Sequence, residues 1–133
     1  MRAFPLEIVT PDGVAFSGEV ESLLVHTGDG DVEILAGHAD FVAAVNTGRA
    51  RIIKDGVEQL ASTSGGFLSV SREGAKLVAI TFEFKENIDI ERARRARENA
   101  EAAISRAKSD RDIKLAKAKL KRAISRISVA ERK

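Results

Sequence analysis

The sequence contains no cysteine, tryptophan or tyrosine, and the first of these absences removes whole classes of protein. Without cysteine there is neither a disulfide framework nor a thiolate metal site. No apolar run approaches the roughly 20 residues that a membrane-spanning helix needs, and the first residues lead into no hydrophobic signal segment. The 133 residues are enough for one domain of ordinary size. We expect a soluble protein of the cytoplasm.

Catalytic and metal-binding patterns are also missing. The two histidines, His26 and His38, lie twelve positions apart, and no cluster of further ligands accompanies them. We therefore expect no metal site. No nucleophile with a partner base, and no paired general acid and base, is visible in the sequence. The chain is expected not to be an enzyme and to have no catalytic residues.

Charge and composition divide the chain into two unequal parts. Residues 1–86 carry 7 basic and 13 acidic side chains, whereas residues 87–133 carry 15 basic and 7 acidic ones. The first part also contains both prolines, all ten glycines and all six phenylalanines. The change in composition predicts a boundary near Glu86, with one domain over residues 1–86 and another over 87–133.

Short apolar runs separated by turn residues fill the first part. The dividers include PDG at 11–13, GDGD at 28–31, NTG at 46–48 and SGG at 64–66. Asp55-Gly56 lies between two apolar runs, and this dipeptide is typical of a type I′ hairpin turn. Such spacing predicts a small antiparallel β-sandwich or barrel.

Alanine recurs at helical spacing after the boundary. The first stripe consists of the alanines at 93, 96, 100, 103 and 107. A second stripe, in which alanine alternates with isoleucine or leucine, holds residues 113, 116, 120, 123, 127 and 130. Ser109 precedes the second stripe and is a favoured N-cap residue. The pattern predicts an antiparallel two-helix hairpin. The first helix offers only methyl groups to the seam between the helices, so their pairing is expected to be weak. The hairpin is then either a plain support docked on the sandwich or a mobile switch.

Three arginines, Arg92, Arg122 and Arg126, are expected on one flank of that hairpin. Guanidinium groups suit phosphate oxygens, and the free N–H groups of a helix start favour an anion as well. Asp89 and Glu83 are suited to accept from an amino group or ribose hydroxyls. The set predicts a nucleotide site. The competing interpretation is a solvated face with an Asp89–Arg92 surface pair worth about 0.2–0.5 kcal/mol.

The basic second part leaves a further alternative, a helical-hairpin module that binds nucleic acid. Against this reading, residues 87–133 contain no aromatic residue on which bases could stack. Their cations surround both helices instead of forming one stripe. We therefore expect no nucleic-acid partner.

Five short segments give the chain a resemblance to a known family. They are IVTPDG at 8–13, VESL at 20–23, ILAGHA at 34–39, SGGFLSV at 64–70 and IDIERA at 88–93. In this order and spacing the chain resembles the epsilon subunit of the bacterial F-type ATP synthase over its whole length. ILAGHA is similar to that family's GILPGHAP segment, and IDIERA to the I/L-D-x-x-R-A motif of its ATP-binding members.

The resemblance implies a sandwich of about ten strands that carries a C-terminal helical hairpin. In that family the sandwich binds the gamma subunit and rests on the c-ring, and Glu33 and His38 would lie at this rotor interface. The hairpin either folds on the sandwich or extends toward the alpha/beta catalytic ring and inhibits ATP hydrolysis. By this resemblance the chain is a non-catalytic regulatory subunit of a proton- or sodium-translocating synthase. It would lie peripherally on the cytoplasmic face of the bacterial plasma membrane without inserting into it.

ATP is the regulatory ligand that the resemblance implies, with or without Mg²⁺, and there is no catalytic cofactor. Seven residues are assigned to it on this basis: Glu83, Ile88, Asp89, Arg92, Ala93, Arg122 and Arg126. Ile88 and Ala93 would pack on the nucleotide. Asn99 departs from the family pattern, because ATP-binding members can carry another arginine there.

Overall fold

The computed structural model describes residues 2–132 and contains ten strands, one short 3₁₀ turn and two helices. The strands are β1 Phe4–Thr10, β2 Gly13–Val20, β3 Ser22–Thr27, β4 Gly30–Leu35, β5 Phe41–Ala44, β6 Gly48–Lys54, β7 Val57–Ser64, β8 Phe67–Ser71, β9 Gly74–Val78 and β10 Thr81–Phe84. The 3₁₀ turn is Lys85–Asn87, and the helices are α1 Ile90–Arg106 and α2 Asp110–Ala130. The predicted fold class, a sandwich of ten strands followed by two helices, is confirmed.

The strands form two five-stranded sheets. The first sheet has the order β2-β1-β9-β8-β5, and the second has the order β10-β7-β6-β3-β4. Neighbouring strands run antiparallel except for β1 and β9, which pair in parallel through Leu6↔Ala75 to Val9↔Val78. The parallel pair arises because the β1–β2 and β8–β9 hairpins join edge to edge to complete this sheet. Turn chemistry in the sequence specifies the hairpins but not how two hairpins join.

The predicted turn at Asp55-Gly56 is confirmed. Both residues have positive φ, 52° and 75°, and Lys54 pairs with Val57 directly across the turn. A type I′ turn requires this conformation at both central positions, which asparagine, aspartate and glycine tolerate best. The turn therefore sets the register between β6 and β7.

Large aliphatic side chains fill the space between the sheets. Leu6, Ile8, Leu23, Ile52, Leu68 and Leu77 are at most 2% exposed. Four half-buried phenylalanines, Phe16, Phe41, Phe82 and Phe84, pack against this core. Alternating side chains make this possible, because every second residue of a strand points to the same face.

Capping residues define where the helices begin. The Asp89 carboxylate accepts a hydrogen bond from the backbone N–H of Arg92 at 3.1 Å and so caps α1. The Ser109 hydroxyl accepts from the backbone N–H of Asp112, also at 3.1 Å, which confirms the predicted N-cap of α2. Only residues 107–109 connect the helices, so α2 must turn back along α1.

Helix α2 lies between the second sheet and α1. It contacts β6 and β7 on one side and α1 on the other. The seam between the helices buries small side chains, among them Ala93, Ala100, Ala116 and Ala123, each at most 4% exposed. Within residues 2–132, neither helix is both long and apolar enough to cross a membrane.

Candidate functional site

Helix α2 docks on a row of polar residues on the outer face of the second sheet, and this docking surface is here called the seat of α2. Glu83 on β10 pairs with Ser62 on β7, and Ser62 pairs with Arg49 on β6. Paired residues on antiparallel strands point to the same face. Glu83, Ser62 and Arg49, here called the polar row, therefore lie side by side beneath α2, with their apolar neighbours turned into the core.

A single buried hydrogen bond joins the centre of the polar row to the helix. The hydroxyls of Ser62 and Ser125 lie 2.8 Å apart, and the two residues are 5% and 9% exposed. Val129, one turn further along α2, is 1% exposed. Buried polar groups cost free energy unless they are paired, so this bond fixes one position of α2 on the sheet.

An ion pair holds one flank of α2 to the sheet. Arg126 Nε lies 3.3 Å from Glu83 Oε1, and the side chains are 28% and 37% exposed. Lys85 Nζ also donates to the backbone carbonyl of Arg132, which lies just beyond the end of α2. Both contacts join α2 or its end to the segment that leaves the sandwich. The docked hairpin is therefore held by few polar contacts.

The three predicted arginines differ in their surroundings. Arg126 and Glu83, both predicted for the nucleotide site, are brought together in the ion pair described above. Arg92 is exposed in the first turn of α1, and Arg122 is half-buried one turn before Arg126. Within residues 2–132 neither Arg92 nor Arg122 forms an ion pair. Two guanidinium charges are thus left for an anion.

The other predicted nucleotide residues take structural positions. Asp89 is exposed and serves as the N-cap of α1, so the Asp89–Arg92 contact is a cap and not a side-chain ion pair. Ala93 is 3% exposed in the helix seam, which leaves it little surface for a ligand. Ile88 is half-buried and lines a separate cavity of about 500 Å³ with Ile90 and Leu60. Their roles toward ATP remain predictions.

The two residues predicted for a rotor interface lie on and beside β4. Glu33 accepts a hydrogen bond from the Ser22 hydroxyl at 2.9 Å and also pairs with Arg51, so it is tied to the outer face of the second sheet. His38 is exposed in the loop after β4, where its ring packs edge-on against Phe41 with centroids 5.8 Å apart. Of the two, His38 is the freer to meet a partner.

Ser62, Ser125 and Lys85 hold α2 to the sandwich but were not predicted. For Ser125 a weak signal exists, because a serine stands in α2 beside the apolar stripe. Nothing in the sequence links it to Ser62, which is 63 positions away. Within residues 2–132 no three histidine, aspartate or glutamate side chains are grouped so that they could hold a metal ion.

Two family models match the chain in sequence. The β-sandwich domain of the ATP synthase delta/epsilon chain matches residues 3–85, and the long α-helix domain of the same chain matches residues 86–131. An ATP synthase epsilon chain of Bacillus velezensis is 39% identical over 130 residues, with 98% of both chains covered. One of Shouchella clausii is 38% identical and covers 100% of this chain and 98% of its own.

Solved structures share the fold. A chain in the cryo-EM structure of the Euglena gracilis mitochondrial ATP synthase aligns with a TM-score of 0.81 at 22% identity, covering 98% of this chain and 82% of that one. A chain from the central stalk and c-ring of the Tetrahymena thermophila enzyme aligns with a TM-score of 0.69 at 11% identity, covering 97% of each. The two family models and the 38–39% identical relatives show that the chain belongs to the ATP synthase delta/epsilon chain family, whose members are non-catalytic subunits.

Proposed function

We propose that this chain is a rotor subunit whose sandwich binds the gamma subunit and the c-ring and whose hairpin regulates ATP hydrolysis. The relatives named above are epsilon chains, and one structural neighbour comes from a central stalk and c-ring assembly. The observation that carries the proposal is the seat of α2, where one buried serine pair and one half-exposed ion pair join the hairpin to the sandwich. An element held in this way can be released without unfolding the sheets.

An apolar row on the outer face of the first sheet supports binding of gamma there. Ala44, Phe67, Val78, Val9 and Val14 are cross-strand neighbours on β5, β8, β9, β1 and β2. Phe67 is 48% exposed and Val14 is 62% exposed. Contiguous exposed apolar surface marks an interaction site more often than scattered apolar residues do. The exposed loop with His38 is our candidate for contact with the c-ring.

The docked hairpin is one of two states that we propose. In the other, the helices leave the polar row and extend along gamma toward the alpha/beta ring, where they inhibit hydrolysis. The alanines that α1 contributes to the helix seam favour exchange between the two states, because each buried methyl contributes only about 0.8 kcal/mol, whereas a leucine contributes about 1.5–3 kcal/mol. Alanine also has the highest helix propensity, so the helices can persist after their packing is lost.

ATP is the ligand that we propose for the docked state. Glu83 neutralises Arg126, and Arg92 and Arg122 offer two further positive charges to a triphosphate. Glu83 and Asp89 supply the carboxylates that would accept from the base and ribose. A ligand that binds only the docked form stabilises it by about 0.4 kcal/mol when its concentration equals Kd and about 2.7 kcal/mol at a hundredfold excess. The response to ATP is therefore graded only when Kd lies near the cellular concentration.

Calorimetric titration with ATP tests the nucleotide site directly. We expect selective 1:1 binding of ATP over ADP and GTP, measured with and without Mg²⁺. Arg92→Ala should lower the affinity at least tenfold, about 1.4 kcal/mol, because it removes a guanidinium that carries no other ion pair. Arg94→Ala is the matched control, since Arg94 is on the same helix but is paired with Glu91 at 2.7 Å. An unchanged affinity in Arg92→Ala would refute this placement of ATP.

A reversible lock tests regulation by the hairpin. The chain has no cysteine, so Ser62→Cys with Ser125→Cys introduces the only thiols, at positions whose hydroxyls lie 2.8 Å apart. A disulfide between them would keep α2 docked. The variant is added to the cognate ATPase prepared without this subunit, and the rate of ATP hydrolysis is measured. The oxidised variant should no longer inhibit hydrolysis, and reduction of the disulfide should restore inhibition. Equal inhibition in both redox states would exclude a mobile hairpin.

A further inference from the structure

A groove lies on the flank of α2 that faces away from the predicted arginines of this helix. It has a volume of about 900 Å³ and is open to solvent on one side. Lys114, Lys117 and Lys121 line it from the helix, and His26 and Arg49 line it from the second sheet. We call these five residues, with the space between them, the lysine groove.

Helix geometry separates the lysine groove from the proposed ATP site. At 100° per residue, Arg126 lies on one side of Ser125, whereas Lys117 and Lys121 lie on the other. Ser125 is fixed on the polar row by its bond to Ser62. The two flanks of α2 therefore face different parts of the sheet, and none of the seven predicted ATP residues lines the groove.

The lysine groove has more positive charge than its surroundings neutralise. On the sheet side the neighbouring carboxylate is Asp31, whose Oδ1 lies 3.0 Å from His26 Nδ1 and whose Oδ2 lies 3.5 Å from Arg49. Asp31 is thus already engaged with the sheet wall. On the helix side, Asp110 lines a smaller adjoining pocket with Lys114 and Lys117. Within residues 2–132 none of the three lysines forms an ion pair. On the opposite flank Glu83 pairs with Arg126, whereas Arg122 forms no ion pair among residues 2–132.

The spacing of the cations favours an extended anion over a compact one. Lys114, Lys117 and Lys121 follow the i, i+3, i+7 pattern of one helical stripe, and they span about 10.5 Å along the axis. A single phosphate contacts only part of that length, whereas a chain of linked phosphates can meet all three ammonium groups. Ammonium groups act as point charges toward phosphate and do not require a fixed planar geometry.

We propose that the lysine groove binds a polyphosphate chain and thereby stabilises the docked hairpin. The helix wall carries three lysines, whereas Arg49 on the sheet wall is paired with Asp31. An anion between the walls would be attracted to the ammonium groups and to Arg49 at once, and so would join the helix to the sheet. The contact would hold the flank of α2 that lacks a salt bridge. This inference needs no nucleotide at Arg92 and so does not depend on the ATP site.

Titration of the full chain with inorganic tripolyphosphate at low salt tests the inference. We expect 1:1 binding that weakens as salt is added, because the cations are exposed to solvent. Lys117→Gln with Lys121→Gln should lower the affinity at least tenfold. The control, Lys108→Gln with Lys119→Gln, removes the same charge from lysines that do not line the groove, and it should change the affinity less than twofold. Circular dichroism checks that both variants keep their helices.

Further arms distinguish a polyphosphate site from other sources of binding. Orthophosphate should bind at least tenfold more weakly than tripolyphosphate, and equal affinities would overturn the assignment to a phosphate chain. Equal losses of affinity in the groove and control double variants would mean that tripolyphosphate is attracted by net charge alone. That result would also overturn the proposed site. In Arg92→Ala, tripolyphosphate affinity should be unchanged. If the tripolyphosphate affinity falls in Arg92→Ala and not in the double variant Lys117→Gln with Lys121→Gln, tripolyphosphate binds at the proposed ATP site. The lysine groove is then not a binding site.

Discussion

The sandwich and the hairpin bury different kinds of side chain. Between the sheets, leucine, isoleucine and valine dominate, and Leu68 and Leu77 have no exposed surface. Between the helices, the buried residues of α1 are two alanines, Ala93 and Ala100. A fully buried leucine contributes about 1.5–3 kcal/mol, roughly two to four times as much as one methyl group. The side chains that α1 buries therefore contribute less free energy of stabilisation per residue than those of the sandwich core.

This difference teaches that stability need not be uniform within 133 residues. Regions with few buried apolar contacts open at lower free energy than the global unfolding of the protein. The hairpin depends on its seat at the polar row, whereas the sandwich carries its own core. Substitutions in the two regions should therefore differ in how much free energy they cost. They should also differ in whether they destabilise the sheets or only the docked hairpin.

The largest effect should come from the sandwich core. Leu77→Ala removes a side chain with no exposed surface and should lower the free energy of unfolding by about 2–5 kcal/mol. Urea denaturation followed by circular dichroism measures this loss. Leu115→Ala is the matched control on α2, where Leu115 is 53% exposed, and it should stay within about 0.5 kcal/mol of the parent. Equal losses would remove the distinction between the two regions.

An intermediate effect should follow from breaking the serine pair. Ser125→Ala leaves the Ser62 hydroxyl buried without its partner and should destabilise docking by about 1–3 kcal/mol. The double change, Ser62→Ala with Ser125→Ala, should cost less, because no polar group is then left unpaired. Hydrogen exchange of the α2 amides measures docking separately from the stability of the sheets. A double variant that loses as much as the two single variants combined would show that the pair is not coupled.

The smallest effect should come from the ion pair at the edge of the seat. Glu83→Gln removes the charge that faces Arg126, and about a third of each side chain is exposed. We expect a loss of docking of about 0.2–1 kcal/mol that shrinks as salt is added. Exchange rates of α2 at low and high salt measure it. A loss larger than that of Ser125→Ala would mean that charge, and not the buried serine pair, holds the helix.

Local chemistry explains which features the sequence predicted. The Asp55-Gly56 turn, the Ser109 cap and the alanine stripes depend on residues within one turn or one helix, and all appear in the structure. A small antiparallel sandwich or barrel was predicted because turn residues interrupt apolar runs at regular intervals, and the count of about ten strands came from the family resemblance. The predicted ATP residues are only partly brought together, since Glu83 meets Arg126 but Ile88 lines another cavity.

Contacts between segments that lie far apart in the chain could not be predicted from the sequence. The Ser62–Ser125 bond joins residues 63 positions apart, and neither serine differs locally from an exposed one. The parallel pairing of β1 with β9 likewise depends on how two hairpins meet. The lysine groove was missed because its lysines were seen as part of a general basic surface, whereas its other wall is supplied by β3 and β6.

The position of α2 between the sheet and α1 has a consequence for the order of assembly. During translation α1 leaves the ribosome before α2, at a time when its packing partner does not yet exist. Its 17 residues are near the length at which an isolated helix is marginal in water. The sandwich can close first, but α1 acquires a fixed place only when α2 arrives to bridge it to the sheet. A chain that ends before residue 110 would therefore have a finished sandwich with an unanchored helix.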